Sequence, residues 1–361
     1  MLTQPQPGLA VLFGSGETAP SSGKTHEFVA QSLDERLGQS LPQTPRIAIL
    51  ETPAGFEPNS DRVAGKISDY LARRLQNYAP QVNVLPARKK GTPFSPDDPA
   101  IVSPILQADW LFLGPGSPTY AARQLRDSLA YEMLVARHRL GAALMLASSA
   151  TLAFSAFTMP VYEIYKVGQD LHWQDGLNFF GAFGLPLVVV PHWNNSDGGE
   201  ELDTSRCYLG RVRFAQLQEM LPPGQTIVGL DEHTALVIDK AKAVCRVMGG
   251  GRVVVLRGGE RSEYVEGETF HPEVLGEWRT PEPGAGIRPE VWRQALAVQE
   301  KLARTAQRES EPSAGVQALA AQRQEARTQK DWAAADRLRA EIAAWGWQVQ
   351  DTAEGWRLVK E

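Results

Sequence analysis

The chain is expected to fold as an α/β protein with a doubly wound, mostly parallel sheet, followed by a small helical unit. Three observations lead there. Short apolar runs alternate with segments of helical spacing through the first half of the chain. Gly141 to Phe154, GAALMLASSATLAF, is a nearly unbroken apolar run, as expected of a strand buried on both faces, and it ends in four small residues before a new apolar segment. Helical spacing restarts near the C-terminus, after a Pro/Gly-rich break.

Taken in order, Leu9 to Phe13 reads as the first strand. GSGET and a Ser/Pro/Gly loop follow, then a helix from about Lys24 to Leu37. Arg46 to Leu50 is a strand ending in ETPAGFEP, and Asp61 to Tyr78 has helical spacing. Val82 to Leu85 and Asp109 to Leu113 are strands, the second ending in GPGSPTY. A single helix is expected over Tyr120 to Leu140. Leu187 to Val190 is a buried strand ending in PHWNN, and Arg206 to Leu221 is helical. Ile227 to Leu230 ends in DEHTA, and three closely spaced short strands after it suit an antiparallel end to the same sheet.

Composition narrows the function. The 361 residues suffice for two domains, and 43% apolar residues allow a sizeable core. A net charge of −5 argues against coating nucleic acid through bulk charge. Two cysteines, Cys207 and Cys245, do not make a disulfide framework, so a reducing cytoplasm is expected. MLTQPQPGLAVLF lacks the basic region of a signal peptide, and no apolar run is long enough to span a membrane. No His/Cys/carboxylate set shows metal-ligand spacing, and no cofactor is expected.

Strand, tight small-residue turn and helix together form the context of a nucleophile elbow. Ser149 is the central candidate, flanked by the small positions Ala147 and Thr151; the plain alternative is a strand that needs small residues for packing. A serine nucleophile needs a base, and the base an orienting acid. His192 follows a buried strand directly, and His233, which also follows a strand, is its rival. Glu232, Asp231, Glu163 and Asp197 are the candidate acids, Glu232 being at a strand end. A tetrahedral oxyanion needs two backbone donors. These are expected from Ala150 and from Gly116, since Pro115 has no amide hydrogen. A competing pattern, TAPSSGKT, approaches a phosphate-binding loop at Gly23, Lys24 and Thr25, but Thr18 stands where its first glycine belongs.

With these residues in view, the first roughly 260 positions resemble the cyanophycinase and dipeptidase E family of serine peptidases, whose fold is like that of class I glutamine amidotransferases and flavodoxins. The matching stretches are LFGSGE, ILETPA, LFLGPGSPTY, LASSATLAF, PHW with YLGRVRFAQL, and GLDEHTALVID with VMGGGRVVVL. Cyanophycinase-like members carry an elbow T-S-A-G-A, a histidine after a strand and a D-E-x-T-A motif. The resemblance implies Ser149, His192 and Glu232 as triad and Gly116 and Ala150 as oxyanion donors. Dipeptidase E-like members place the acid shortly after the serine, which makes Glu163 the alternative. The chain departs at Ala150-Thr151, where the family has Ala-Gly, so the turn geometry there decides between a serine hydrolase of peptide or other small amides and an inactive binding protein of the same fold. A homodimer paired through surface helices is compatible with this fold.

The C-terminal stretch AQRQEARTQKDWAAADRLRAEIAAWGWQVQDTAEGWRLV resembles the small C-terminal domain of cysteinyl-tRNA synthetases, through R-x-x-A-R, K-D-W-A-x-A-D-x-L-R and Q-D-T-x-x-G. The implied partner is tRNA, with Arg323, Arg327, Lys330, Arg337 and Arg339 as contacts on two helices that share a face. From Val316 to Glu361 seven basic residues balance seven acidic ones, so binding requires their segregation. The expected organisation is a domain over 1–276, a linker and connecting helix over 277–315, and a small domain over 316–361.

Overall fold

The computed structural model describes residues 6–37, 44–352 and 355–360. The chain divides into two compact units, Met1–Leu296 and Ala297–Glu361. In the first, β1 (Ala10–Phe13), α1 (Gly23–Leu37), β2 (Arg46–Leu50), α2 (Ser60–Arg74), β3 (Gln81–Leu85), α3 (Pro99–Val102) and β4 (Trp110–Leu113) alternate. Then come α4 (Pro118–Leu125), α5 (Leu129–Arg139), β5 (Ala143–Ala147), α6 (Ser149–Ala153), β6 (Phe157–Thr158), α7 (Val161–Tyr165), β7 (Gln174–Asp175), β8 (Leu187–Val190) and α8 (Gly210–Glu219). The strands β9 (Thr226–Leu230), β10 (Thr234–Asp239), β11 (Val244–Gly249), β12 (Arg252–Arg257), β13 (Glu260–Val265) and β14 (Thr269–Phe270) close the unit, and α9 (Pro289–Ser310) runs through the division.

The main sheet has the order β14-β11-β10-β1-β5-β4-β2-β3. Its members β1 to β5 are mutually parallel, and β10, β11 and β14 add antiparallel at the β1 side. Strands β1, β4 and β5 are buried along their whole length, which is why their sequences are continuous apolar runs. Edge strand β3 instead alternates exposed and half-buried residues before Leu85. One face of the sheet packs Val11, Phe13, Ile49, Phe112 and Met145 against Val29, Leu33, Ile67 and Leu71 of α1 and α2.

The structure corrects the expectation of one continuous sheet. Strands β8 and β9 pair in parallel and, with β12 and β13, form a second sheet in the order β13-β12-β9-β8. Its apolar face, with Val188, Val190, Ile227 and Val254, covers Trp193, Phe214 and Leu217. A uniformly apolar strand such as LVVV does not reveal which sheet it joins. Two helices also differ from expectation. The stretch read as one helix over Tyr120–Leu140 breaks after Leu125, because Asp127 takes a left-handed φ of 55° and Ser128 Oγ caps the next helix by accepting the Tyr131 amide at 3.1 Å. The stretch from Arg206 enters α8 only at Gly210, because Arg206, Cys207 and Tyr208 are all left-handed.

Residues 277–288, read as linker, are packed onto the first unit. Arg139 donates to the carbonyls of Glu282, Pro283 and Ala285, and Arg288 pairs with Glu132 at 2.8 Å. The second unit carries α10 (Ala314–Thr328), α11 (Trp332–Ala344) and a hairpin of β15 (Trp347–Thr352) and β16 (Gly355–Lys360). Its core is Val316, Ala320, Ile342, Trp347 and Val349. Trp332 and Trp345, which recur at helical spacing with Ala335, Leu338 and Ile342, are 59% and 66% exposed. Among the described residues no helix is long and apolar enough to cross a membrane.

Candidate active site

The end of β1 organises the site. Two consecutive carbonyls there receive the two segments that carry the candidate side chains: Phe13 O accepts the Ser148 amide at 3.1 Å, and Gly14 O accepts the His192 amide at 3.3 Å. The first segment leaves the main sheet through β5, and the second leaves the other sheet through β8. Gly14 is required where they meet. A Cβ there would stand 2.1 Å from the Asp231 carbonyl oxygen, beyond β9, and backbone cannot yield as a side chain can.

Ser148, not Ser149, stands at the turn. Its backbone has φ 52° and ψ −116°, a conformation that costs an L residue of order 1–3 kcal/mol and is of the strained strand-to-helix kind that a nucleophile elbow requires. Ser148 Oγ lies 2.9 Å from His192 Nε2, and His192 Nδ1 lies 2.8 Å from Glu232 Oε1. A carboxylate only accepts, so Nδ1 carries the hydrogen and donates it; Nε2 then accepts from the serine hydroxyl. Ser149 instead is 3% exposed and donates its hydroxyl to the Gly114 carbonyl at 3.3 Å.

The expected register is therefore shifted by one. With the serine of T-S-A-G-A on Ser148, the motif's glycine falls on Ala150 and its last alanine on Thr151. Thr151 is no longer a flaw at a tight turn. It is fully buried in the first turn of α6, and both its amide and its hydroxyl donate to Ser148 O, at 3.0 and 2.7 Å. The amide that follows the turn serine belongs to Ser149 rather than to Ala150. Gly116 keeps its place on the cleft wall, with φ 150° and a backbone so close to Pro53 that a Cβ would lie 1.9 Å from its carbonyl oxygen.

The other candidates lie elsewhere. Glu163 accepts a hydrogen bond from Thr119 Oγ1 at 2.6 Å, while Glu232 is the carboxylate on His192. The rival His233 sits with its ring against Gly16 and its amide toward Ser15 Oγ. Asp231 accepts the Arg252 amide at 3.0 Å. The segment that resembled a phosphate loop is a 3-10 turn leading into α1, with Thr25 and His26 buried and His26 Nε2 bonded to Glu17 O at 2.7 Å.

Several supporting residues went unread. Asn194 Oδ1 accepts the Glu232 amide at 2.8 Å, and Asn195 Nδ2 donates to Glu232 Oε1 at 3.0 Å, so the pair after His192-Trp193 clamps the acid from two sides. Two amide side chains directly after a candidate base were the available signal. Tyr208 lies with its ring 5.7 Å from that of His192. Cys207, also on the cleft wall, has its thiol pushed up to about 12 by burial, so it is no thiolate at neutral pH. Ser148, His192 and Gly116 line a cleft of about 520 Å³ together with Leu152, Tyr162 and Tyr165.

In the second unit the arginines read as RNA contacts divide. Arg323 is 4% exposed and reaches Asp351 at 3.0 Å, and Arg327 reaches the same carboxylate at 2.6 Å. The R-x-x-A-R and Q-D-T motifs thus clasp α10 to the hairpin. Lys330, Arg337 and Arg339 are exposed. Arg337 and Arg339, two positions apart, point about 200° apart around α11, so they do not share a face.

Comparison with known proteins accords with this division. Residues 310–356 match the family described as cysteinyl-tRNA ligase anticodon binding domain. A curated relative, cysteine–tRNA ligase 1 of Burkholderia lata, is 56% identical over 43 residues, which is 12% of this chain and 9% of the ligase. The chain thus spans about a tenth of that relative's length. The fold is similar to the crystal structure of a peptidase from an acI-B1 Actinobacterium, with a TM-score of 0.58 at 20% identity, over 74% of this chain and 98% of that one. A Peptidase E structure from Listeria monocytogenes EGD-e superposes at a TM-score of 0.40 and 14% identity, over 72% of this chain and 98% of that one. The first unit has an α/β fold similar to that Actinobacterium structure, and residues 310–356 are similar to the anticodon-binding domain of the ligases.

Proposed function

We propose that the first unit is a serine hydrolase of peptide-type amides, with Ser148 as nucleophile, His192 as general base and Glu232 as its orienting acid. The observation that carries this is the relay of 2.9 and 2.8 Å that begins on a strained serine at a strand-to-helix turn. Ser148 Oγ attacks the carbonyl carbon as its proton passes to His192 Nε2. The amides of Gly116 and Ser149, both residues of the cleft wall, are assigned as donors to the developing oxyanion. The same proton then goes to the leaving nitrogen, the C–N bond breaks, and water activated by His192 cleaves the serine ester. The strain at Ser148 speaks against an inactive binding protein, since a retired elbow has no reason to keep it. Labelling with a fluorophosphonate tests the reading: the native chain should label and Ser148→Ala should not. Equal labelling of the two would reject it.

The second unit is proposed to contact structured RNA of the tRNA kind. Exposed Trp332 and Arg339 are seven positions apart on α11 and share a face, beside Lys330 at the preceding turn. An aromatic face with flanking cations suits base stacking and phosphate contact. A tRNA titration at two salt concentrations should show affinity falling with salt. The double variant Lys330→Ala/Arg339→Ala should lower the log–log salt slope by roughly 2, about 0.9 per lost contact. An unchanged slope would turn the reading toward a protein contact.

A further inference from the structure

We propose that Asp197 is a cation subsite of the Ser148 cleft, so that the preferred amide carries an ammonium or guanidinium group near the scissile bond. This rests on the hydrolase reading of the same cleft. Among the described residues that line it, Asp197 is the one carboxylate and Lys166 the one lysine, the latter with Nζ 4.9 Å above the Tyr165 ring.

Asp197 is exposed, yet it is built into place. Tyr208 donates its hydroxyl to Asp197 Oδ2 at 3.1 Å. The Asp197 amide donates to Asn195 Oδ1 at 3.2 Å, and the next amide, of Gly198, donates to the buried Thr204 hydroxyl at 3.1 Å. Asn195, 3% exposed, thereby joins two functions: its oxygen holds the Asp197 loop, and its nitrogen holds Glu232. Hydrogen bonds from Asn195 and Tyr208 keep the Asp197 carboxyl below the usual range, and thus ionised. Tyr208 is held in turn by the left-handed run Arg206-Cys207-Tyr208, with φ of 58°, 58° and 68°. The amides of Arg206 and Cys207 bond the carbonyls of Trp193 and His192 at 3.0 and 3.1 Å. Three consecutive residues in a sparsely populated conformation are costly, and the arrangement they hold is Tyr208 between the base and Asp197. A carboxylate accepts about four hydrogen bonds, so Asp197 retains capacity toward a donor in the cleft.

The experiment follows the rate at which a small neutral fluorophosphonate labels the chain in the presence of three competitors: glycinamide, N-acetylargininamide and neutral N-acetylglycinamide. For each protein the half-protecting concentrations are compared with one another, so overall reactivity cancels. In the native chain at least one cationic amide should protect at a concentration tenfold or more below that of the neutral one. Which amide does so separates an α-ammonium from a basic side chain. Asp197→Asn should bring the ratio to about one, and Asp197→Glu should restore much of it. A ratio near one in the native chain, or the same ratio in Asp197→Asn, overturns the subsite. Should the native chain not label at all, the hydrolase reading fails. Calorimetric titration of the same amides then decides the subsite alone, tenfold weaker cation binding by Asp197→Asn upholding it and equal binding rejecting it.

Discussion

The elbow at Ser148 and the clasp at Asp351 both rest on motifs visible in the sequence, and in both the roles within the motif are exchanged. At the elbow the residue expected to react, Ser149, is a buried brace on Gly114, and its neighbour faces His192. In the second unit the residues expected to touch a ligand, Arg323 and Arg327, are bound to Asp351 inside the fold. The two cases differ in what decides the role. At the elbow it is backbone conformation, which turns one of two adjacent serines outward. At the clasp it is the partner of a charged side chain, which lies 24 to 28 positions away. Motif recognition finds the place, and only local geometry or long-range pairing assigns the work.

The sharpest way to break this contrast is at the two serines. Ser148→Ala should lower turnover by roughly 10³-fold or more, as loss of a triad member does. Ser149→Ala should cost less than about tenfold, since it removes a single hydrogen bond to a carbonyl, worth about 1 kcal/mol. Steady-state hydrolysis of a peptide amide checks both. Gly14→Ala tests whether β1 is the joint. Its Cβ would meet the Asp231 carbonyl at 2.1 Å, so the end of β1, which holds Ser148 and His192, must move away from the segment that carries Glu232. A displacement of about 1 Å should cost about 100-fold in turnover. A variant with native kinetics would contradict that role.

Asp351→Asn probes the clasp. It leaves the guanidinium of Arg323 buried with its counter-charge removed, and should cost the second unit about 1–3 kcal/mol, read as faster amide exchange in residues 314–352 of the full chain. The pH dependence has a definite sign. Arg323, then Arg327, holds the Asp351 carboxyl below its ordinary value. Stability from this pair is thus complete above the unfolded pKa of about 3.9 and is lost as pH falls through the lower folded value. Exchange protection should be flat between about pH 7 and 5 and should fall only in stronger acid. The smallest effect is expected for Thr151→Gly. It removes the hydroxyl bond to Ser148 O and adds about 1 kcal/mol of helix penalty, so labelling should slow severalfold. Faster labelling would mean that Thr151 does hinder the turn.

Much of the architecture was legible, because buried parallel strands are continuous apolar runs that end in Gly, Pro or polar residues. That His192 and Glu232 lie near each other was legible for the same reason: each follows such a strand, and the strand ends of an α/β sheet converge on one crevice. Which serine meets His192 was not, because Ala-Ser-Ser-Ala is small at every position and admits two registers of the turn. The second sheet was hidden too, since LVVV satisfies either sheet. Asn195, Tyr208 and the left-handed run before α8 were invisible for another reason. Their conformations are imposed by bonds to His192 and Trp193, contacts that no local pattern announces. The C-terminal helices and hairpin were legible from spacing and motif, but the exposure of Trp332 was not, because its helical spacing is shared with core positions.

The most direct measurement is the location of the covalent adduct on the native chain. After reaction with a fluorophosphonate, fragmentation of the peptide containing Leu146 to Phe154 should place the added mass on Ser148. Its location on Ser149, or its absence from this peptide while another residue carries it, would contradict the account.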